Sequence, residues 1–119
     1  MDTEMIALGF LQHYYNIFDS NRAALEWFYH DASRLNFEGQ TIQGVQNIVN
    51  FLNSLPLQCS HHISTIDCQP TSPTGGFVVF VSGTLQVAGE LHPRKFNQMF
   101  HLMPAWGRVY VLNDIFRLN

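Results

Sequence analysis

Charge is scarce in this chain. Asp, Glu, Lys and Arg make up 13% of the 119 residues, about half the share of an ordinary globular domain. So little charge cannot cover a surface, and exposed apolar area is expected, with a partner or second subunit to meet it. Cysteine is also rare. Cys59 and Cys68 cannot build a disulfide framework, and their spacing fits no compact metal pattern, so both are read as reduced and buried. No basic run exists and the net charge is −3, which argues against nucleic acid and an anionic membrane surface. No apolar run approaches the roughly 20 residues that span a bilayer, so no membrane insertion is expected. The start, Met1-Asp2-Thr3-Glu4, lacks the basic opening of a signal peptide, and a cytosolic or nuclear protein is expected. Nucleophile-elbow, phosphate-loop and dinucleotide motifs are missing, and Gly75-Gly76 reads as a turn. With no internal repeat and no linker, one domain over 1–119 is expected.

Apolar residues are plentiful. They form 46% of the chain, with ten Phe, four Tyr and two Trp, enough for a sizeable core. Ile6, Phe10, Tyr14 and Phe18 recur at helical spacing, and Leu11 and Tyr15 widen the stripe. Asp19-Ser20-Asn21 offers caps for a second helix holding Leu25, Trp27, Phe28 and Tyr29, ended by Asp31-Ala32-Ser33. Short strands follow at Arg34–Phe37 and Gln40–Gln43, turning at Glu38-Gly39. Gly44 opens a third helix, with Ile48, Phe51, Leu52 and Leu55 on one face, and Pro56 closes it. The remainder is β: His61–Cys68, Phe77–Val87, Lys95–Met103 and Val109–Leu118. This order predicts an α+β fold, three helices packed on a strongly curved antiparallel sheet.

Both faces of that sheet are apolar. Phe77-Val78-Val79-Phe80-Val81 alternates apolar with apolar, as do Phe96/Phe100 against Met99/Met103. An antiparallel sheet with one wet face alternates apolar with polar. Three helices cover one face, and a second copy of the same sheet is the simplest cover for the other.

The polar residues give no reaction centre. His61-His62 point to opposite faces of a strand, and His13, His30, His92 and His101 fall on separate elements, so no metal site is expected. Asp19, Asp31, Asp67 and Asp114 are the acids a pocket could use, with His61 or His101 as partners. No two share a defined catalytic spacing, and each has a simpler reading, Asp19 as a helix cap. Glu38 and Glu90 differ, because both sit in short turns beside apolar residues. Acids at the rim of an apolar pocket suit a partner that presents an aromatic side chain flanked by Lys or Arg.

Several longer words carry a resemblance. Gln12-His13-Tyr14-Tyr15, Phe18-Asp19, Phe37-Glu38-Gly39-Gln40, Gln43-Gly44 and Leu55-Pro56 come in order. Asp67-Cys68-Gln69-Pro70, Phe96-Asn97-Gln98-Met99-Phe100 and Asn113-Asp114-Ile115-Phe116-Arg117-Leu118 follow. From about Phe10 to Leu118 the chain resembles the nuclear transport factor 2 family. The loop Val87-Ala88-Gly89-Glu90 and the ending Arg117-Leu118-Asn119 look most like its plant-type members.

The resemblance implies a cone-shaped homodimer without catalytic residues or cofactors. Such proteins carry the GDP form of the GTPase Ran through nuclear pores and bind FxFG repeats of nucleoporins, so the cytoplasm, the nucleus and the pore are the implied compartments. Ran inserts a Phe into an apolar pocket, which on this chain is implied to be lined by Phe37, Leu55, Leu57, Cys59, Leu85, Val87, Ile115 and Phe116. Glu38, His61 and Glu90 are implied at its rim. Animal members carry a Trp for FxFG binding where this chain has Thr3, which places that contact near Thr3 and Ile6. Two other readings stay open. One is a small heterodimerising subunit of a messenger RNA export complex. The other is a pocket enzyme, a dehydratase or isomerase, since one fold hosts many functions.

Overall fold

The computed structural model describes residues 2–56, 58–71, 73 and 75–119. Helix α1 spans Thr3–Ser20, and Asp2 caps it by accepting the Glu4 amide at 3.0 Å. Its apolar stripe is buried as the spacing predicts: Ala7, Phe10, Leu11, Tyr14, Tyr15 and Phe18. A 3₁₀ helix, Arg22–Phe28, follows. Strands β1 (Tyr29–Phe37) and β2 (Gln40–Gln43) form a hairpin, and helix α2 covers Val45–Ser54. Strands β3 (Cys59–Pro70), β4 (Phe77–Val87), β5 (Arg94–Ala105) and β6 (Arg108–Leu118) complete the chain. Among the described residues no helix is long and apolar enough to cross a membrane.

The second helix is shorter than predicted. It ends at Phe28, and Tyr29 already opens β1. Ser33 explains the early strand. Buried, it accepts the His30 amide at 2.8 Å and donates to the Val111 carbonyl, tying this irregular stretch to β6. The Glu38-Gly39 turn has positive φ at both residues, 50° and 89°, the two-residue hairpin turn that matches strand twist.

The six strands lie in the order β2-β1-β6-β5-β4-β3. The sheet is not wholly antiparallel: β1 runs parallel to β6. A parallel neighbour needs a long crossover, and most of the chain lies between these two strands. Bulges between Ile63 and Thr65 and between His101 and Leu102 bend the sheet.

The inner face is the core. β4 buries Phe77, Val79, Val81, Gly83, Leu85 and Val87 in strict alternation, with α1 packed across β3, and α2 against β1 and the 3₁₀ helix. Burying a residue such as Phe100 or Leu102 is worth about 1.5–3 kcal/mol. The outer face follows from the register. Asp67, Phe80, Met99, Ile115 and Asn36 stand side by side across five strands. Phe80 is 47% and Ile115 44% exposed, so apolar side chains without a covering helix stand at its centre. Beside them the buried Nε2 of His101 has no hydrogen-bond partner among the described residues.

Candidate functional site: an aromatic socket over a closed polar network

A cavity of about 80 Å³ opens between α1, α2 and the inner sheet face. Its walls are aromatic because β1 and β6 are paired in register, Phe37 against Phe116. The two rings stack with centroids 4.8 Å apart at 9°, Phe96 continues the stack behind Phe116 at 5.7 Å, and Phe51 meets Phe37 edge-on at 5.3 Å. Leu35, Leu52, Leu85 and Leu118 complete the apolar lining.

The floor is polar and fully engaged. Tyr29 donates to Asp114 Oδ2 at 2.8 Å and Gln98 donates to Oδ1 at 2.8 Å. Tyr14 reaches the Tyr29 hydroxyl at 2.5 Å, and Tyr15 donates to Gln98 Oε1 at 2.7 Å. Burial pushes the Asp114 carboxyl up to about 6, against the two hydrogen bonds that favour its charge. Burial, with the Asp114 charge beside it, also holds the Tyr14 and Tyr29 hydroxyls well above the ordinary tyrosine range. Each hydroxyl and amide in this chain of contacts is spent on its neighbour.

Of the residues expected to line the pocket, Phe37, Leu85 and Phe116 do so. Leu55 caps α2, half-buried, with its carbonyl accepting from Arg22 at 3.1 Å. Cys59 and Val87 face each other across β3 and β4 in the core beside the socket. Leu57 lies outside the described residues. Ile115 is a correction. It points from the opposite face of the sheet, because neighbours on a strand alternate and Phe116 takes the inner position.

The rim also differs from expectation. Glu38 is exposed at the hairpin turn, its amide on the Phe116 carbonyl at 3.1 Å and its Oε1 accepting from the Leu118 amide. It therefore stands beside two lining residues. Glu90 is a bidentate partner of Arg94, at 2.9 and 2.8 Å, and this hydrogen bonding lowers its carboxyl below the usual range. That charge is answered within the chain. His61 is a wall residue, its side chain 3% exposed.

Asp19, read as a cap, instead holds His61. Its Oδ2 accepts the His61 amide at 2.8 Å, and its Oδ1 lies 2.7 Å from Nδ1. Cys59 Sγ donates to the same Oδ1 at 3.7 Å. Burial and then the Asp19 charge push the Cys59 thiol up to about 11, over an opposing pull from Arg22. Cysteine and histidine two apart on one strand were the available signal for this cluster. Cys68 is half-buried, and both cysteines are free thiols.

At the other end of α1, Ile6 lines an open apolar cleft of about 580 Å³ with Phe10, Trp27, Phe28, Phe77 and Val109. Thr3, half-buried, begins the helix. Arg108 lies over the Trp27 ring at 3.7 Å.

An aromatic socket over a hydrogen-bonded polar floor is thus set into a small α+β domain. A family model, the nuclear transport factor 2 domain, matches residues 6–118. The chain is 60% identical over its whole length to nuclear transport factor 2B of Arabidopsis thaliana, of which it covers 96%. It is 53% identical to nuclear transport factor 2 of rice, Oryza sativa subsp. japonica, covering 98% of that protein. The solved structure of nuclear transport factor 2 from Cryptosporidium parvum superposes with a TM-score of 0.91 at 44% identity, over 98% of this chain and 94% of that one. The chain belongs to the nuclear transport factor 2 family. These relatives are named for nuclear transport and not for a reaction.

Proposed function

We propose that this chain is a homodimeric, non-enzymatic carrier that binds Ran-GDP and FxFG nucleoporin repeats and brings Ran into the nucleus. It works between cytoplasm, nuclear pore and nucleus. The observation that carries the reading is the socket of Phe37, Leu85 and Phe116 with the exposed Glu38 turn beside it. An inserted phenylalanine ring gains buried area and stacking there, and Glu38 meets a basic residue flanking it. Because Glu90 is held by Arg94, Glu38 bears the larger share of charge recognition. The outer sheet face, with Phe80, Met99 and Ile115 side by side, supports pairing with a second copy. Ile6 and the apolar cleft around Trp27 support docking of the repeats' phenylalanines close to Thr3.

The test is a calorimetric titration of the purified protein with Ran loaded with GDP and, separately, with a GTP analogue. Binding to the GDP form alone is expected. Glu38→Lys should weaken it by at least about tenfold while the far-ultraviolet circular dichroism is unchanged, since the side chain sits at an exposed turn. Equal binding of both nucleotide forms, or of neither, overturns the reading. Unchanged affinity in Glu38→Lys overturns the assignment of the rim.

A further inference from the structure

Beside the socket, three metal-ligating side chains from two elements converge. Cys59 and His61 are two apart on β3, so the strand's alternation turns both toward the same side. Asp19, in the last turn of α1, faces them. One ligand atom from each of Asp19, Cys59 and His61 lies within 4.8 Å of the other two, with Asp19 Oδ1 3.7 Å from Cys59 Sγ and 2.7 Å from His61 Nδ1. We propose that Asp19, Cys59 and His61 bind a divalent transition-metal ion, with zinc the best match.

The donor set selects the ion. Thiolate, imidazole and carboxylate with a fourth position left to water suit zinc, whereas calcium and magnesium take oxygen ligands. The donors are also aimed in advance. The His61 amide holds Asp19 Oδ2 at 2.8 Å, which turns Oδ1 toward both Nδ1 and Sγ. The imidazole is clamped by the Tyr15 face at 4.3 Å and by the Phe18 and Phe96 rings at 4.9 and 5.3 Å. Such outer contacts orient ligands at metal centres. Asp19 and His61 border a surface groove of about 320 Å³ with Gln12, Tyr15 and Asn16, while Cys59 lies buried in the core.

Binding requires a small adjustment and a proton balance. Oδ1 and Nδ1, 2.7 Å apart, separate by roughly half an ångström to reach tetrahedral ligand spacing around zinc. The hydrogen between them leaves, and Nε2 carries the proton of the neutral imidazole. Cys59 releases its thiol proton to solvent. One thiolate and one carboxylate then balance the 2+ ion, and the centre is neutral. The ion would staple the end of α1 to β3 at the socket wall.

Cobalt(II) titration followed by absorption spectroscopy tests the site, with zinc added afterwards. One cobalt per chain is expected, with a thiolate-to-cobalt charge-transfer band in the near ultraviolet that zinc abolishes. Cys59→Ala should remove the band and weaken zinc binding, measured by calorimetry, by at least roughly tenfold. Cys68→Ala should change neither. Asp19→Asn should keep the band and weaken zinc by a similar factor, which provides a second variant where Cys59→Ala folds poorly. No band in the unaltered protein, a band lost with Cys68, or zinc affinity indifferent to Cys59 and Asp19 would each overturn the proposal.

Discussion

Asp114 should make the protein more stable in mild acid than its composition suggests. The carboxyl is 1% exposed and its hydrogen-bond donors come from Tyr29 and Gln98. Burial outweighs those donors and raises it from 3.8 to about 6. An acid raised on folding binds more protons in the native state than in the unfolded one. Its contribution is therefore complete below about pH 4, declines as pH rises, and is gone above about 6. A rise of that size is worth about 3 kcal/mol. Asp114→Asn removes the titration with little change of shape. Its amide oxygen can still accept from Gln98, while its NH₂ donates to Tyr29, whose hydroxyl turns toward Tyr14. Urea unfolding of both proteins, at fixed protein concentration and ionic strength from pH 4 to pH 7, isolates the effect, because the two chains differ in this one carboxyl. The unaltered protein should lose about 2 kcal/mol relative to the variant across that range. Parallel profiles would refute the reasoning, and would mean that Asp114 is solvated or already charged throughout.

Two further outcomes follow from the packing. Ile115→Glu places a charge at the centre of the exposed outer face beside Met99; sedimentation velocity is expected to show a dimer for the unaltered chain and a folded monomer for the variant, and a variant that still dimerises would show that another surface pairs. Gly83→Ala forces a Cβ to within 2.2 Å of the His62 carbonyl oxygen and 3.0 Å of the Phe96 ring, and should cost about 1–3 kcal/mol as the bulge opposite it shifts. An unchanged urea midpoint would contradict the close approach of β3 and β4.

Much of this molecule is legible in the order of its residues. The stripe of α1, the limits of β4, and the turns at Glu38-Gly39 and Gly75 are local signals, set by a handful of consecutive side chains. The resemblance put Ile115 in the socket beside Phe116, but strand alternation forbids adjacent residues from lining one socket, and Ile115 points outward. The resemblance implies Phe37, Leu85 and Phe116 as pocket residues, and all three line the socket. The sheet's two apolar faces are equally plain, since both sets of alternating positions in β4 are hydrophobic.

Tertiary structure decided the rest. Asp19 reads as a cap until β3 brings Cys59 and His61 against it. Glu90 reads as a free rim acid until the chain turns back and Arg94 closes on it. Tyr14, Tyr15, Tyr29, Gln98 and Asp114 come from four elements, and only the parallel seating of β1 beside β6, with α1 across the sheet, links them into one closed network. The reason is physical. Backbone periodicity fixes which way neighbouring side chains point, and that is written residue by residue. Which distant side chains meet, and so which charges are answered and which acids are stripped of water, depends on strand order and register across the whole chain.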